Sequence, residues 1–133
     1  MKKAFLILAA ASALVAPAAI SAKPRLTPEQ RLDKMLEGRV AGKPVSCISL
    51  MNSRDMEVLD KTAIVYNSGS VIYVNRTTRP EDLDSDDVLV VKVHGSQLCR
   101  MDILQQHDRS GGWYNGFVGL EDFVPYRRVA KAG

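Results

Sequence analysis

The sequence predicts a β-rich α+β fold, in which a short N-terminal helix packs on a small, mostly antiparallel sheet, with a barrel-like curl of that sheet as the alternative. Three observations lead to this fold class. β-branched and aromatic residues, which suit a pleated surface, concentrate between Cys47 and Cys99. The turn-forming segment Asn67–Ser70 separates two such runs. Helix-capping residues precede a short segment with helical spacing of apolar residues.

The predicted helix begins at Thr27–Gln30, where Thr can cap, Pro suits the first helical position and Gln completes a capping box. Leu32, Met35 and Leu36 fall on one face at helical spacing. Gly38 is a suitable terminator. Because the apolar face is narrow, we expect a surface helix that buries one stripe.

Residues 39–44 are expected to form a loop that leads into a strand at 45–50. Thr62–Tyr66 and Val71–Val74 predict a β-hairpin, since Asn67 and Gly69 between them tolerate the positive φ of a tight turn.

Val88–Val93 is the longest apolar run after the N-terminal segment, which predicts a central strand buried on both faces. Residues 97–104 fit a strand or a short helical turn equally well. Residues 105–116 are expected to be a loop, and residues 117–120 and 123–124 a final strand pair or a strand followed by a turn.

The N-terminus has the pattern of a secretory signal peptide, residues 1–22. Lys2 and Lys3 form a charged region, Ala4–Ala16 is apolar apart from one serine, and Ala19–Ala22 supplies small residues for cleavage. The apolar run is shorter than the ~20 residues of a spanning helix, so we expect no stable membrane anchor after cleavage. Residues 23–128 are then one small β-rich domain and residues 129–133 a basic tail.

Cleavage changes the charge balance from 18 basic against 15 acidic residues to 16 against 15, which is a formal charge of +1. This near-neutral balance does not favour a nucleic-acid partner. Export to the periplasm or the exterior predicts a disulfide bond between Cys47 and Cys99, the two cysteines of the chain. The alternative is a pair of buried free thiols that behave as small apolar side chains.

Neither metal pattern in the sequence is complete. In the acidic segment Glu81–Asp87, three alternate aspartates match the start of a calcium loop, but Asp87 and Val93 occupy the positions that need Gly and Glu. His94 and His107 could join the two cysteines on zinc, but no paired Cys-x-x-Cys unit is present. We therefore expect no metal and no cofactor.

Catalytic residues are not assigned from the sequence. His94, Ser96 and Asp102 or Asp108 supply the residue types of a Ser-His-Asp triad, but the glycine-flanked serine of a nucleophile elbow is missing. A small periplasmic hydrolase that uses His94 or His107 remains the alternative function. Asn75–Thr77 matches an N-glycosylation sequon, which matters only in a eukaryotic secretory pathway.

Trp113 and Tyr114 follow two glycines in a predicted loop and form a candidate binding loop, because exposed aromatic residues often mark recognition surfaces. The alternative is that Trp113 folds back and plugs one end of the core.

Five segments carry a resemblance to a group of small exported proteobacterial proteins of unknown function. They are Pro44–Ile48, Ile72–Arg76, Asp86–Val90, Gly95–Cys99 and Phe123–Arg127. The resemblance covers residues 40–128 and implies a periplasmic or secreted protein without supplying an active site. The expected function is a small exported binding or interaction protein whose partner is an unidentified protein or envelope component.

Overall fold

The computed structural model describes residues 11–18 and 22–130. Most of the predicted signal peptide and the last three residues of the basic tail lie outside the described residues. The elements are α1 (Pro28–Met35), β1 (Arg39–Ala41), β2 (Cys47–Ser49), β3 (Asp55–Leu59), β4 (Ala63–Asn67), β5 (Val71–Asn75), a 3-10 helix (Pro80–Asp82), β6 (Asp87–Val91), β7 (Gln97–Cys99), β8 (Ile103–Asp108), β9 (Tyr114–Gly119) and β10 (Val124–Arg128). The predicted β-rich α+β fold is confirmed.

The strands divide among three antiparallel sheets. The largest has the order β1-β10-β5-β4-β3, the second has the order β6-β8-β9, and β2 pairs with β7 in a two-stranded ribbon. The described strands are not closed into a barrel, so the barrel-like alternative is not formed. The single α-helix of the described residues is too short to cross a membrane.

Helix α1 forms as predicted, because its ends are fixed by local interactions. The Thr27 hydroxyl accepts a hydrogen bond from the Gln30 backbone N–H at 3.2 Å, and the Gln30 side chain accepts one from the Thr27 N–H at 2.9 Å. Gly38 follows the helix with φ +69°, a conformation that glycine adopts without strain. Leu32 is buried, and Met35 and Leu36 are half-buried beside it.

The β4–β5 hairpin is also confirmed. The Asn67 side chain accepts a hydrogen bond from the Gly69 N–H at 3.0 Å, and Gly69 has φ +82°. Successive residues of β4 are buried on alternate faces of the large sheet. This strand is therefore covered on both sides.

Two apolar clusters make the fold three layers deep. The helix-side cluster lies between α1 and the large sheet and consists of Leu32, Leu59, Ala63, Val65, Ile72 and Val74. The sheet-to-sheet cluster lies on the opposite face of the large sheet, facing the two smaller sheets, and consists of Ile48, Ile64, Tyr66, Leu83, Leu98, Leu104, Val118, Leu120 and Phe123. The large sheet is thus the middle layer.

The predicted central position of Val88–Val93 is wrong. Strand β6 is an edge strand of the three-stranded sheet, and Val88 and Val90 are 41% and 46% exposed. Among the described residues, another layer covers only the inward face of this sheet, so alternate residues of the apolar run are exposed.

Three loop and pairing predictions also need correction. Residues 39–41 are strand β1, which pairs with β10 at the edge of the large sheet. Most of residues 105–116 belongs to the β8–β9 hairpin. Strands β9 and β10 do not pair with each other, because β10 inserts between β1 and β5. Strand β10 continues to Arg128, and its Arg127 and Arg128 are in register with Val40 and Arg39 of β1.

Candidate functional site

The Cys47–Cys99 disulfide is formed, as predicted from the sequence. The two cysteines are direct cross-strand partners in the β2–β7 ribbon. The Arg100 N–H donates to the Ser46 carbonyl at 2.8 Å on one side of them. The cysteines therefore occupy a non-hydrogen-bonded pair, where antiparallel strands approach most closely, and their Cα atoms are 4.0 Å apart. The bond is consistent with a location outside the cytoplasm.

Of the two histidines of the predicted hydrolase, His107 lies near the end of strand β8 and His94 lies in the bend between β6 and β7. The ring nitrogens of His107 are each 3.2 Å from an oxygen, one of the Gly112 backbone and one of the Gln105 side chain. His94 is exposed after β6. The Asp102 carboxylate accepts a hydrogen bond from the Cys99 N–H at 2.8 Å, and the Asp108 carboxylate accepts from the N–H groups of Ser110 and Gly111. Nothing in this arrangement supports the hydrolase, which stays a prediction.

The acidic segment is a hydrogen-bonded turn. Asp84 accepts from the Asp86 N–H at 2.8 Å. The buried Gln106 of β8 accepts from the Asp84 N–H at 3.0 Å and donates to the Asp82 carbonyl at 2.8 Å. Within residues 11–18 and 22–130, no three potential metal ligands of the His, Cys, Asp and Glu types are grouped. Because both thiols are in the disulfide, the predicted zinc alternative loses two of its four ligands.

Asn75, the acceptor of the predicted glycosylation sequon, is fully buried. Its side-chain amide donates to the Glu121 carbonyl at 2.6 Å, and its side-chain oxygen accepts from the N–H groups of Thr77 at 2.9 Å and Glu121 at 3.0 Å. In the folded protein this nitrogen is not accessible for modification. Asn75 instead joins the end of β5 to the segment between β9 and β10.

The candidate binding loop lies at the tip of the β8–β9 hairpin. Trp113 is 68% exposed and Tyr114 is 56% exposed. The Trp113 ring lies so close to Gly111 that a side chain at position 111 would collide with it. The alternative in which Trp113 plugs the core is wrong, because the ring packs on its own turn at the surface.

This placement predicts the fluorescence of Trp113, the single tryptophan of the chain. We expect the native protein to emit at nearly the wavelength of the unfolded protein, and we expect iodide to quench this emission, since water reaches most of the ring. Steady-state fluorescence with and without denaturant measures both properties. A blue-shifted native emission that iodide does not quench would contradict the surface position.

An apolar outer face adjoins this loop. In the three-stranded sheet, the cross-strand row of Val90, Gln105 and Phe117 faces away from the core, and Ile103 lies on the same face. The three apolar side chains of this group are exposed. We call these four residues the outer face.

A second feature is a crevice of about 260 Å³ between the large sheet and the smaller sheets. Its lining combines apolar residues from several strands with a few polar ones at Ser53, Arg54, Asp55 and Tyr66. The apolar residues are Leu50, Met56, Leu89, Val91, Leu98 and Leu104. We call this space the interlayer crevice.

Tyr66 is the unusual residue of the interlayer crevice. It is 3% exposed, and its ring packs edge-on against Phe123 with centroids 5.8 Å apart. The hydroxyl is buried and forms no hydrogen bond within the described part of the chain. Burial raises the pKa of Tyr66 well above its ordinary value, so the phenol stays protonated and keeps a donor without an acceptor. Such an orphaned buried group costs about 1–3 kcal/mol.

Arg54 lies between the interlayer crevice and a neighbouring depression. The depression measures about 430 Å³ and is lined by Ser49, Met51, Asn52, Arg54, Ser68, Val71 and Tyr73. A Cβ at Gly69 would lie 3.8 Å from the Arg54 guanidinium carbon, which places that cation beside the β4–β5 turn. Among the described residues the Arg54 side chain is in no ion pair. The sequence pointed to neither Tyr66 nor Arg54, because a strand tyrosine and a loop arginine are ordinary surface-compatible residues.

No protein-family model, no curated protein and no solved structure matches this chain.

Proposed function

We propose that this chain is a small exported binding protein that takes a mainly apolar small molecule into the interlayer crevice. The observation that carries the proposal is the unpartnered, buried hydroxyl of Tyr66, a residue that lines a mainly apolar space. Buried polar groups are almost always paired, so an orphaned donor beside a cavity calls for an acceptor that the chain does not supply. A ligand with one hydrogen-bond acceptor and an aliphatic body meets both requirements.

The size of the interlayer crevice limits the ligand. At about 30 Å³ per heavy atom, the share of volume that water has in the liquid, 260 Å³ holds about eight or nine heavy atoms. Binding contributes from ~0.3 kcal/mol per heavy atom for drug-sized ligands to ~1.5 kcal/mol for the best very small ones, and an intermediate ~0.5–1 kcal/mol over eight atoms gives ~4–8 kcal/mol. We therefore expect dissociation constants in the micromolar to millimolar range.

The test is a titration with 1-hexanol, followed by chemical-shift changes in a methyl and amide NMR spectrum. We expect saturable shifts at Leu89, Leu98 and Leu104. Tyr66→Phe should weaken binding about two- to tenfold, since it removes one hydrogen bond. The same variant should raise the free energy of unfolding by about 1 kcal/mol without ligand, because the orphaned hydroxyl is gone.

Tyr126→Phe is the matched control, because Tyr126 packs in the helix-side cluster away from the interlayer crevice. It should leave hexanol affinity unchanged. Shifts that remain linear in hexanol concentration, or that spread over the surface, would refute the proposed function. A Tyr66→Phe variant less stable than the wild type would show that the hydroxyl has a partner after all.

Alkaline pH gives an independent check on Tyr66. Its pKa is raised in the folded protein, while the unfolded chain titrates near the ordinary value of 10.0. The unfolded state therefore loses the proton first, and stability falls as pH rises above that value, by up to ~1.4 kcal/mol per pH unit. Urea unfolding at a series of pH values should show this loss in the wild type and a smaller one in Tyr66→Phe. Equal pH dependence in the two proteins would contradict the burial of an ionisable phenol.

A second candidate function, protein interaction, is favoured by the outer face. Exposed apolar residues that lie together on one surface often mark contact sites. A photo-crosslinking residue at Phe117 should join the protein to one partner in an envelope fraction, and an equivalent residue at Asp33 on α1 should not. Ile103→Asp should abolish the crosslinked product. A product that persists in that variant would count against the outer face.

A further inference from the structure

We infer that the ligand of the interlayer crevice carries an anionic head, and that a short aliphatic carboxylate is the class of molecule it takes. This inference rests on the proposed function and adds the charge of the ligand to it. The structural basis is that two residues with side-chain donors, Tyr66 and Arg54, line the same space. Tyr66 and Arg54 both contribute to the crevice lining, and neither side chain has a hydrogen-bond acceptor or an opposite charge as its partner in the described residues.

The two donors differ in burial, and this difference orients the ligand. The Tyr66 hydroxyl is buried, whereas Arg54 is exposed and also borders the neighbouring depression. A carboxylate has acceptor oxygens and no donor, so it can accept from a phenol and from a guanidinium at once. Hydrogen bonds to an ionised acceptor are the stronger kind, and the planar guanidinium matches the carboxylate geometry.

The surroundings of Arg54 favour an anion over other heads. Among the described residues, the lining of the neighbouring depression contains no carboxylate, and its polar members Ser49, Asn52 and Ser68 carry hydroxyl and amide groups that can donate to an anion. An ammonium head would be repelled by the cation of Arg54, although the carboxylate of Asp55 could accept a hydrogen bond from it. The one acidic residue in the crevice lining is Asp55, which is exposed and opposes an anionic ligand. The negative charge of Asp55 therefore provides a test of the sign of the ligand's charge.

The apolar body of the ligand then lies against the aliphatic side chains of the interlayer crevice. Leu98 and Leu104 are fully buried core residues, and Leu89 and Val91 of β6 pack against the same cluster. Charge is costly to bury without partners, so the carboxylate stays near Arg54 while the chain fills the apolar part.

The experiment compares three probes of equal chain length: hexanoate, 1-hexanol and hexylammonium. Dissociation constants are measured by NMR titration at neutral pH. We expect hexanoate to bind about five- to tenfold more tightly than 1-hexanol, and hexylammonium to bind more weakly than either. Added salt should weaken hexanoate and leave 1-hexanol unchanged, because the contact with Arg54 is partly exposed.

Substitutions distinguish the contribution of the Arg54 charge to affinity from the contribution of the apolar crevice. Arg54→Gln should lower hexanoate affinity to that of 1-hexanol without changing 1-hexanol affinity, and Asp55→Asn should strengthen hexanoate about twofold. Arg79→Gln is the matched control, since Arg79 is an exposed arginine paired with Glu81 and Asp82. It should leave all three probes unchanged.

The outcomes distinguish this inference from the function on which it rests. Equal affinities for hexanoate and 1-hexanol, with no effect of Arg54→Gln, would overturn the anionic head and leave the proposed function standing. Failure of all three probes to produce saturable shifts at Leu98 and Leu104 would overturn both.

Discussion

Loss of the Cys47–Cys99 bond will lower the free energy of unfolding by about 2–4 kcal/mol. The bond closes a loop with a sequence separation of 52, for which the chain-entropy model gives ~4 kcal/mol. It joins two strands of three residues each, and this two-stranded ribbon lies against the sheet-to-sheet cluster through Ile48 and Leu98. Urea unfolding of the oxidised wild type and of Cys47→Ala/Cys99→Ala measures the difference.

Single substitutions of either cysteine provide a second test of this prediction. Cys47→Ala and Cys99→Ala should each lose nearly as much stability as the double variant, because either change removes the whole bond. The unfolded, unreduced wild type should contain no titratable thiol. Two titratable thiols, or a double variant as stable as the wild type, would contradict the bridge.

Asn75→Ala will be the most damaging single polar substitution, with an expected loss of about 3–5 kcal/mol. Three hydrogen bonds disappear, and the Thr77 N–H and both backbone groups of Glu121 lose their partners. The Asn75 side chain also holds Thr77 at φ +59°, which is costly for a β-branched residue. Chemical unfolding followed by circular dichroism measures the loss.

Asn67→Ala is the matched control, since Asn67 makes one side-chain hydrogen bond to the Gly69 N–H in a half-exposed turn. We expect it to cost less than about 1 kcal/mol. In the Asn75→Ala background, Thr77→Gly should recover part of the loss, because glycine adopts a positive φ without the steric penalty. Equal losses for Asn75→Ala and Asn67→Ala would show that the three hydrogen bonds of the buried Asn75 amide contribute no more to stability than the single hydrogen bond of Asn67.

The elements that the sequence predicted well depend on neighbours in the chain. Thr27 and Gln30 cap each other within one helical turn, and Asn67 and Gly69 shape one hairpin turn. Interactions over three or four residues are visible as residue types at fixed spacing. The disulfide was predictable for a different reason, since Cys47 has one partner available in the whole chain.

Whether a strand is buried on both faces depends on the layers that cover it, and this explains the wrong prediction for Val88–Val93. Val88–Val93 has the composition of a central strand, but no layer formed by the described residues covers its outward side, and Val88 and Val90 stay exposed. Strand β4 is shorter, yet α1 covers one of its faces and the smaller sheets cover the other. Burial on both faces is a property of the layers, so an apolar run alone does not reveal it.

The sequence by itself determined the fold class, the capped helix, the hairpin and the pairing of the two cysteines, because each follows from residue type and local spacing. Tertiary structure alone decided which strand is central and where the interlayer crevice lies. It also decided that Tyr66 has a donor without an acceptor and that Arg54 borders the same space. The physical reason is that a cavity and an orphaned hydroxyl are defined by surroundings contributed from distant parts of the chain, from Leu50 to Leu104, and no short segment contains them.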